Sequence, residues 1–169
     1  LVALGSLEFD SGEMAAAQRY FERALPMREH LYGRDSVEAV EPMVGLSDAL
    51  AGQNDDAQAI AVLRDAWARL HQLAPEQQPT RAWVLLHLSA ALRRNGAAGE
   101  ALDLAEQALA IYQQAHGASD SKTIAAHVHA EHARHALGDS QGALTRIDAL
   151  LAQLDATATA PLRELRARI

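Results

Sequence analysis

The residues with the most chemical capacity lie in the second half of the chain. The run HVHAEHARH, residues 127–135, carries four of the eight histidines around one glutamate. On a helix, His127, Glu131 and His135 lie four apart on one face while His129 and His132 lie three apart on another, and either spacing can chelate a divalent metal such as Zn²⁺. The order is not HExxH, and the inverted HxxEH would need histidine at 128, where Val128 stands. At most three of these ligands can converge, so no resident metal or cofactor is expected. The same imidazoles, with a reference pKa of about 6.5, can gain charge together in mild acid.

A second constellation is Arg93 and Arg94, ten and eleven residues after Trp83. Arginine offers a planar fork for a carboxylate or phosphate, and a neighbouring tryptophan supplies an apolar anchor, the pairing enriched where proteins grip partners. The same residues can serve structure alone. Cations favour the C-terminal end of a helix, and a tryptophan packs well against a neighbouring element.

Other reaction machinery is missing. There is no glycine-rich phosphate loop, no GxSxG and no cysteine, so nothing points to an enzyme. The balance of 15 Lys plus Arg against 22 Asp plus Glu argues against a nucleic-acid or anionic-membrane partner, which needs clustered cations. The lack of cysteine fits a reducing, cytoplasmic setting. The charge is also unevenly placed: residues 1–80 hold 6 basic and 13 acidic side chains, whereas residues 81–169 hold 9 of each and six of the eight histidines.

The elements that must position these groups are helices. Alanine, leucine, glutamine, glutamate and arginine dominate, while only 4% of residues are aromatic, a mixture that favours helix over strand. The helices repeat. Ala17, Ala59, Ala101 and Ala143 are 42 residues apart, as are Ala24, Ala66, Ala108 and Leu150; Leu4, Leu46, Leu88 and Ala130 keep the same register. Gly12, Asn54, Gly96 and Gly138 mark a turn in each unit, being residues that tolerate the left-handed conformation closing a helix. Apolar residues recur three or four apart on either side of these turns, as in Ile60, Leu63, Trp67 and Leu70.

Each unit therefore reads as helix, tight turn, helix. First helices are expected at 1–10, 36–52, 79–94 and 120–137, and second helices at 13–31, 55–73, 97–115 and 140–154. The units span about 1–34, 35–76, 77–118 and 119–156, with a terminal helix at 160–169 that starts a fifth unit or caps the fourth. Small residues Gly5, Ser47 and Ser89 leave room where two helices cross, beside bulky Phe21, Leu63 and Ile147; Glu131 departs from that small position. Pro26 predicts a kink in one second helix, and Pro42 a kink or a late start at Glu41 in the next first helix. With Leu at residue 1 and a period entered in mid-helix, the chain reads as a segment of a longer one.

These residues resemble the tetratricopeptide repeat over essentially the whole chain. The family's small residue early in the second helix is matched by Ala17, Ala59, Ala101 and Ala143, its large residue by Phe21, Leu63 and Ile147, with Ala105 a weak match, and its second small residue by Ala24, Ala66 and Ala108. The period, longer than the usual 34 or so, is similar to the kinesin-light-chain-like subgroup, common in bacteria, and the junctions around Gly33 and Gly117 look like that subgroup's. The resemblance implies an all-α, right-handed solenoid of four hairpins and a non-catalytic protein-binding role, as the regulatory part of a bacterial signalling protein such as a serine/threonine kinase or transcriptional regulator. Two devices known in the family are missing. The paired groove asparagines are absent, and a Lys and Asn carboxylate clamp cannot form around the single lysine, Lys122.

In such a fold the first helices line the concave face. That places Val2, Ser6, Phe9, Asp10, Glu41, Val44 and Asp48 at an acidic end, and Trp83, Leu86, His87, Arg93, Arg94, His129, His132 and His135 at a basic end. The expected ligand is a protein or peptide segment with an acidic part toward Arg93 and Arg94. The alternatives are homodimerisation through the end helices and a metal site at His129 and His132.

Overall fold

The computed structural model describes residues 1–70, 77–154 and 159–169. Among these residues the structure is all helical: α1 (Val2–Asp10), α2 (Met14–Tyr32), α3 (Val37–Gly52), α4 (Asp56–Arg69), α5 (Gln78–Arg94), α6 (Ala98–His116), α7 (Ser121–Ala136), α8 (Ser140–Gln153) and α9 (Ala160–Arg168). Odd helices up to α7 are the first helices expected from the period and even ones the second. The expected end of the second unit's helix at 71–73, Pro75, and the unit boundaries at 76 and 156 lie outside the described residues. None of the described helices is long and apolar enough to cross a membrane.

Helix starts follow local chemistry. The side chains of Ser36, Asp55, Asp120 and Asp139 accept from backbone N–H groups of the first turn, satisfying donors that have no partner within the helix. The turns inside the hairpins are left-handed, with φ of +84° at Gly96 and +63° at Asn54. Asparagine is the side chain that tolerates this best, which is why it can replace glycine in the second unit.

The hairpins stack into a solenoid. Each of α3, α5 and α7 packs against its own second helix and against the second helix of the preceding unit. The period-matched alanines Ala17, Ala59, Ala101 and Ala143 are fully buried, and Phe21, Leu63 and Ile147 are buried beside them. Ser89 spans the close crossing of the third hairpin, its hydroxyl donating to the Ala101 carbonyl at 2.7 Å. The Phe21 ring is seated between α1 and α3, where a Cβ added at Gly5 or Gly45 would come within 2.8 or 2.4 Å of it.

One expectation is corrected. Pro42 does not delay its helix: α3 begins at Val37, capped by Ser36, because Ser36 supplies the nucleating bond one turn earlier. Glu131, at the position kept small elsewhere, is buried, accepting from Arg134 (2.6 Å) and from Arg146 of α8 (3.0 Å). Paired cations make that burial tolerable. Arg134 also binds Glu106 on α6, so the fourth hairpin is tied to the third through charge. Pro26 lies within the continuous α2.

At the C-terminal end α9 packs over α7 and α8, with Leu162 and Leu165 joining Ile124 and Ile147 in a separate apolar cluster.

Candidate functional site: a two-part groove

The first helices line one continuous face containing two cavities that meet at Trp83. The N-terminal cavity, about 220 Å³, is lined by Val2, Ser6, Phe9 and Asp10 of α1, by Glu41, Val44 and Asp48 of α3, and floored by Phe21. The C-terminal cavity, about 630 Å³, is lined by Trp83, Leu86, His87 and Ala90 of α5, by Lys122, Ala125 and His129 of α7, and by Pro79, Thr80 and Tyr112.

A polar string joins the halves. His87 donates through Nδ1 to Asp48 Oδ1 at 2.9 Å, which fixes the tautomer because a carboxylate can only accept. The Trp83 ring meets the His87 ring edge-on with centroids 5.4 Å apart. Asp48, Trp83, Leu86, His87 and His129 are thus brought together.

The basic end divides. Arg94 turns away: its Nε donates to Asp56 Oδ1 at 2.7 Å, tying the end of α5 to the start of α4. Arg93, one residue earlier on the helix, makes no hydrogen bond or ion pair with any described residue. It is half-buried, and burial together with its neighbour Arg94 pushes its pKa down from the usual guanidinium value. Burial, followed by the nearby His87, His132, Arg93 and Arg94, holds His129 down to about 4. Burial, with Arg93, Arg168 and His135 adding to it, also lowers His132, whose backbone bond to Val128 only partly offsets this.

The histidine run is therefore not one functional unit. His135 leaves the groove and lies 2.8 Å through Nδ1 from the Ser140 hydroxyl at the start of α8. His127 faces the other side of α7, 3.5 Å from the Gln113 amide. Burial, with Arg134 adding to it, lowers its pKa. Desolvation and nearby cations disfavour the protonated ring at His127, His129 and His132, which works against their joint charging in mild acid. Glu131, the only carboxylate in the run, is taken by two arginines. Among the described residues no three His, Asp or Glu side chains converge as a metal-binding group.

Sequence reasoning missed Tyr112, Lys122, Pro79, Thr80 and Ala125. Tyr112 belongs to a second helix, but as the last large residue of the Leu102, Ala105, Leu109 stripe its ring reaches the groove floor between α5 and α7. Burial, with Asp120 nearby, raises its hydroxyl to about 12, so it stays protonated.

Comparison with known proteins places this geometry in context. Residues 1–70 and 81–122 each match a family model described as tetratricopeptide repeat. No curated protein matches the sequence. Two solved structures of kinesin light chain nearly identical TPR-like repeats from Podosopora anserina are similar in fold. One, a single-substitution form, has a TM-score of 0.84 at 20% identity, covering 98% of this chain and 81% of that one. The other has a TM-score of 0.83 at 20% identity, covering 98% and 82%.

Proposed function

The chain belongs to the tetratricopeptide repeat family, whose domains are scaffolds for protein–protein interaction, and on that premise we propose that its concave groove holds a segment of another protein with an acidic part beside Arg93. The observation that carries this reading is Arg93 itself, a half-buried cation with no hydrogen-bond or ion-pair partner among the described residues, three residues beyond Ala90 on α5 and acting electrostatically on His129, both of which line the cavity of about 630 Å³. A cation already desolvated by the fold gains more from an incoming carboxylate than an exposed one does. The cavity wall of Trp83, Leu86, Ala90 and Tyr112 suits an apolar side chain of the same segment. No step here requires chemistry, and the role is non-catalytic. The reading extends to a cytoplasmic, regulatory part of a larger bacterial signalling protein, on the resemblance of the repeats alone.

The test is a peptide array of acidic and basic ten-residue segments, each with one central Leu or Phe. Acidic segments should bind in preference, and Arg93→Glu should weaken them by about tenfold or more, the scale of one charged hot spot. Equal binding by wild type and Arg93→Glu sinks the assignment.

A further inference from the structure

The cavity of about 630 Å³ is a furrow with a direction. Its walls pair residues 42 apart, Thr80 with Lys122, Trp83 with Ala125 and His87 with His129, so it follows α5 and α7 lengthwise through successive levels. The two helices are equivalent elements of successive units and touch each other, so they run the same way with a small rotation between them. An occupant that fills the furrow lies parallel to them, across the solenoid and not along it.

The furrow has a cation at each end. Lys122, the single lysine of the chain, stands exposed in the first turn of α7 and makes no side-chain ion pair with a described residue. Asp120, two residues before it, is occupied as the cap of α7, accepting from the Lys122 backbone N–H at 2.9 Å. Arg93, equally unpaired among the described residues, stands in the last turn of α5, beyond Ala90 at the other end. No described carboxylate lines the space between.

The repeat itself asks for neither charge. Lys122 takes the register position of Glu38 and Thr80, and Arg93 that of Ala51 and His135, whereas the stack-forming position of Ala17 is alanine in every unit. The separation of the two cations follows from helix geometry. Arg93 lies thirteen residues beyond Thr80, the level of Lys122, which at a rise of about 1.5 Å per residue is ~20 Å along the helices. An extended segment advances about 3.3 Å per residue, so the same length takes about six residues. Side chains at even spacing share one face of such a segment, so two acidic groups six apart and an apolar group between them turn toward the furrow together.

We propose that Lys122 and Arg93 bind the two acidic side chains, about six residues apart, of one extended segment that lies lengthwise between α5 and α7 with an apolar side chain against Trp83 and Leu86. This rests on the reading of the groove as a site for acidic segments, and it adds the charge spacing of the segment and its course across the stack.

The experiment measures fluorescence anisotropy of labelled Gly/Ser peptides with the 169-residue chain. Each peptide carries an Asp, a Phe two residues later and a second Asp four, six, eight or ten residues after the first; a single-Asp peptide is the control. The six-residue spacing should bind tightest, by about tenfold over the control, the scale of one charged hot spot. Lys122→Glu should reduce it to the control level or below without harming the fold, since the register mate Glu38 already places a glutamate in the first turn of α3. Replacing one Asp of the peptide by Lys should restore tight binding to Lys122→Glu, and the end at which it does so gives the direction of the segment. Affinity indifferent to spacing, or unchanged by Lys122→Glu, overturns this proposal while leaving an Arg93-dependent preference for acidic segments standing. If no acidic peptide binds, or Arg93→Glu changes nothing, both readings fall.

Discussion

Trp83 separates two halves of one groove whose floors are built in opposite ways. On the N-terminal side a large ring from the second helix, Phe21, rises between α1 and α3 because Gly45 carries no side chain to meet it. Two repeats later the same pair of register positions is Ala105 and His129: the small residue is now on the second helix and the large one on the first. One half is a small cavity of about 220 Å³ rimmed by Asp10, Glu41 and Asp48; the other is about 630 Å³ and rimmed by His87, His129 and Lys122. Bulk is exchanged across one helix contact without altering the repeat, since the close-packed interior needs only the summed volume conserved; the charge of each half comes from the other rim residues.

The strongest way to break the comparison is to remove the floor of the acidic half. Phe21→Ala should cost about 3–5 kcal/mol in denaturant unfolding, because the ring is buried and glycine faces it from both flanking helices, Gly5 and Gly45. In a stacked array that loss should propagate to the second unit.

The next largest effect concerns the imidazole of the other half. His129 has its pKa held down to about 4, first by burial, while an unfolded chain titrates near the ordinary 6.5. The unfolded state therefore binds the proton first, and stability present above pH 6.5 or so declines as pH falls toward 4, by up to about 3 kcal/mol. His129→Gln should flatten that slope, and an NMR titration should show the ring neutral at pH 5.5. A ring that titrates near 6.5 in the folded protein would show that it is not desolvated in the floor.

The smallest expected effect sharpens the division within the basic end. Arg94→Ala removes an exposed pair with Asp56 and should cost no more than about 1 kcal/mol of stability. It should leave binding of acidic segments unchanged, in contrast to Arg93→Glu. If both arginines affected binding alike, the unpaired state of Arg93 would not be what distinguishes them.

Much of this was legible in the linear chain. The 42-residue period gave the helix order to within about two residues at most described ends, because capping side chains, left-handed turns and small-residue crossings are local signals that recur in every unit. The groove rows Val2 to Asp10, Glu41 to Asp48 and Trp83 to His87 followed from applying that period. Arg94 and His135 could not be separated from Arg93 and His132 by spacing, since each side chain's choice depends on a partner distant in sequence, Asp56 for Arg94, or beyond the hairpin turn, Ser140 for His135. Tyr112 was missed because a period assigns residues to helices but not the reach of a long side chain between them. The departure of Glu131 from the small position was visible, with Arg134 three residues on, yet its burial required Arg146 from α8.

What the sequence determined by itself is the architecture: helix propensity, a fixed period and recurrent small residues leave a stack of hairpins as the way to bury every stripe. What the tertiary structure decided is electrostatic. Which arginine is neutralised and which imidazole is desolvated depend on charges and surfaces brought together from different units. Coulomb and desolvation energies depend on distance and burial in three dimensions, quantities that no residue carries along the chain.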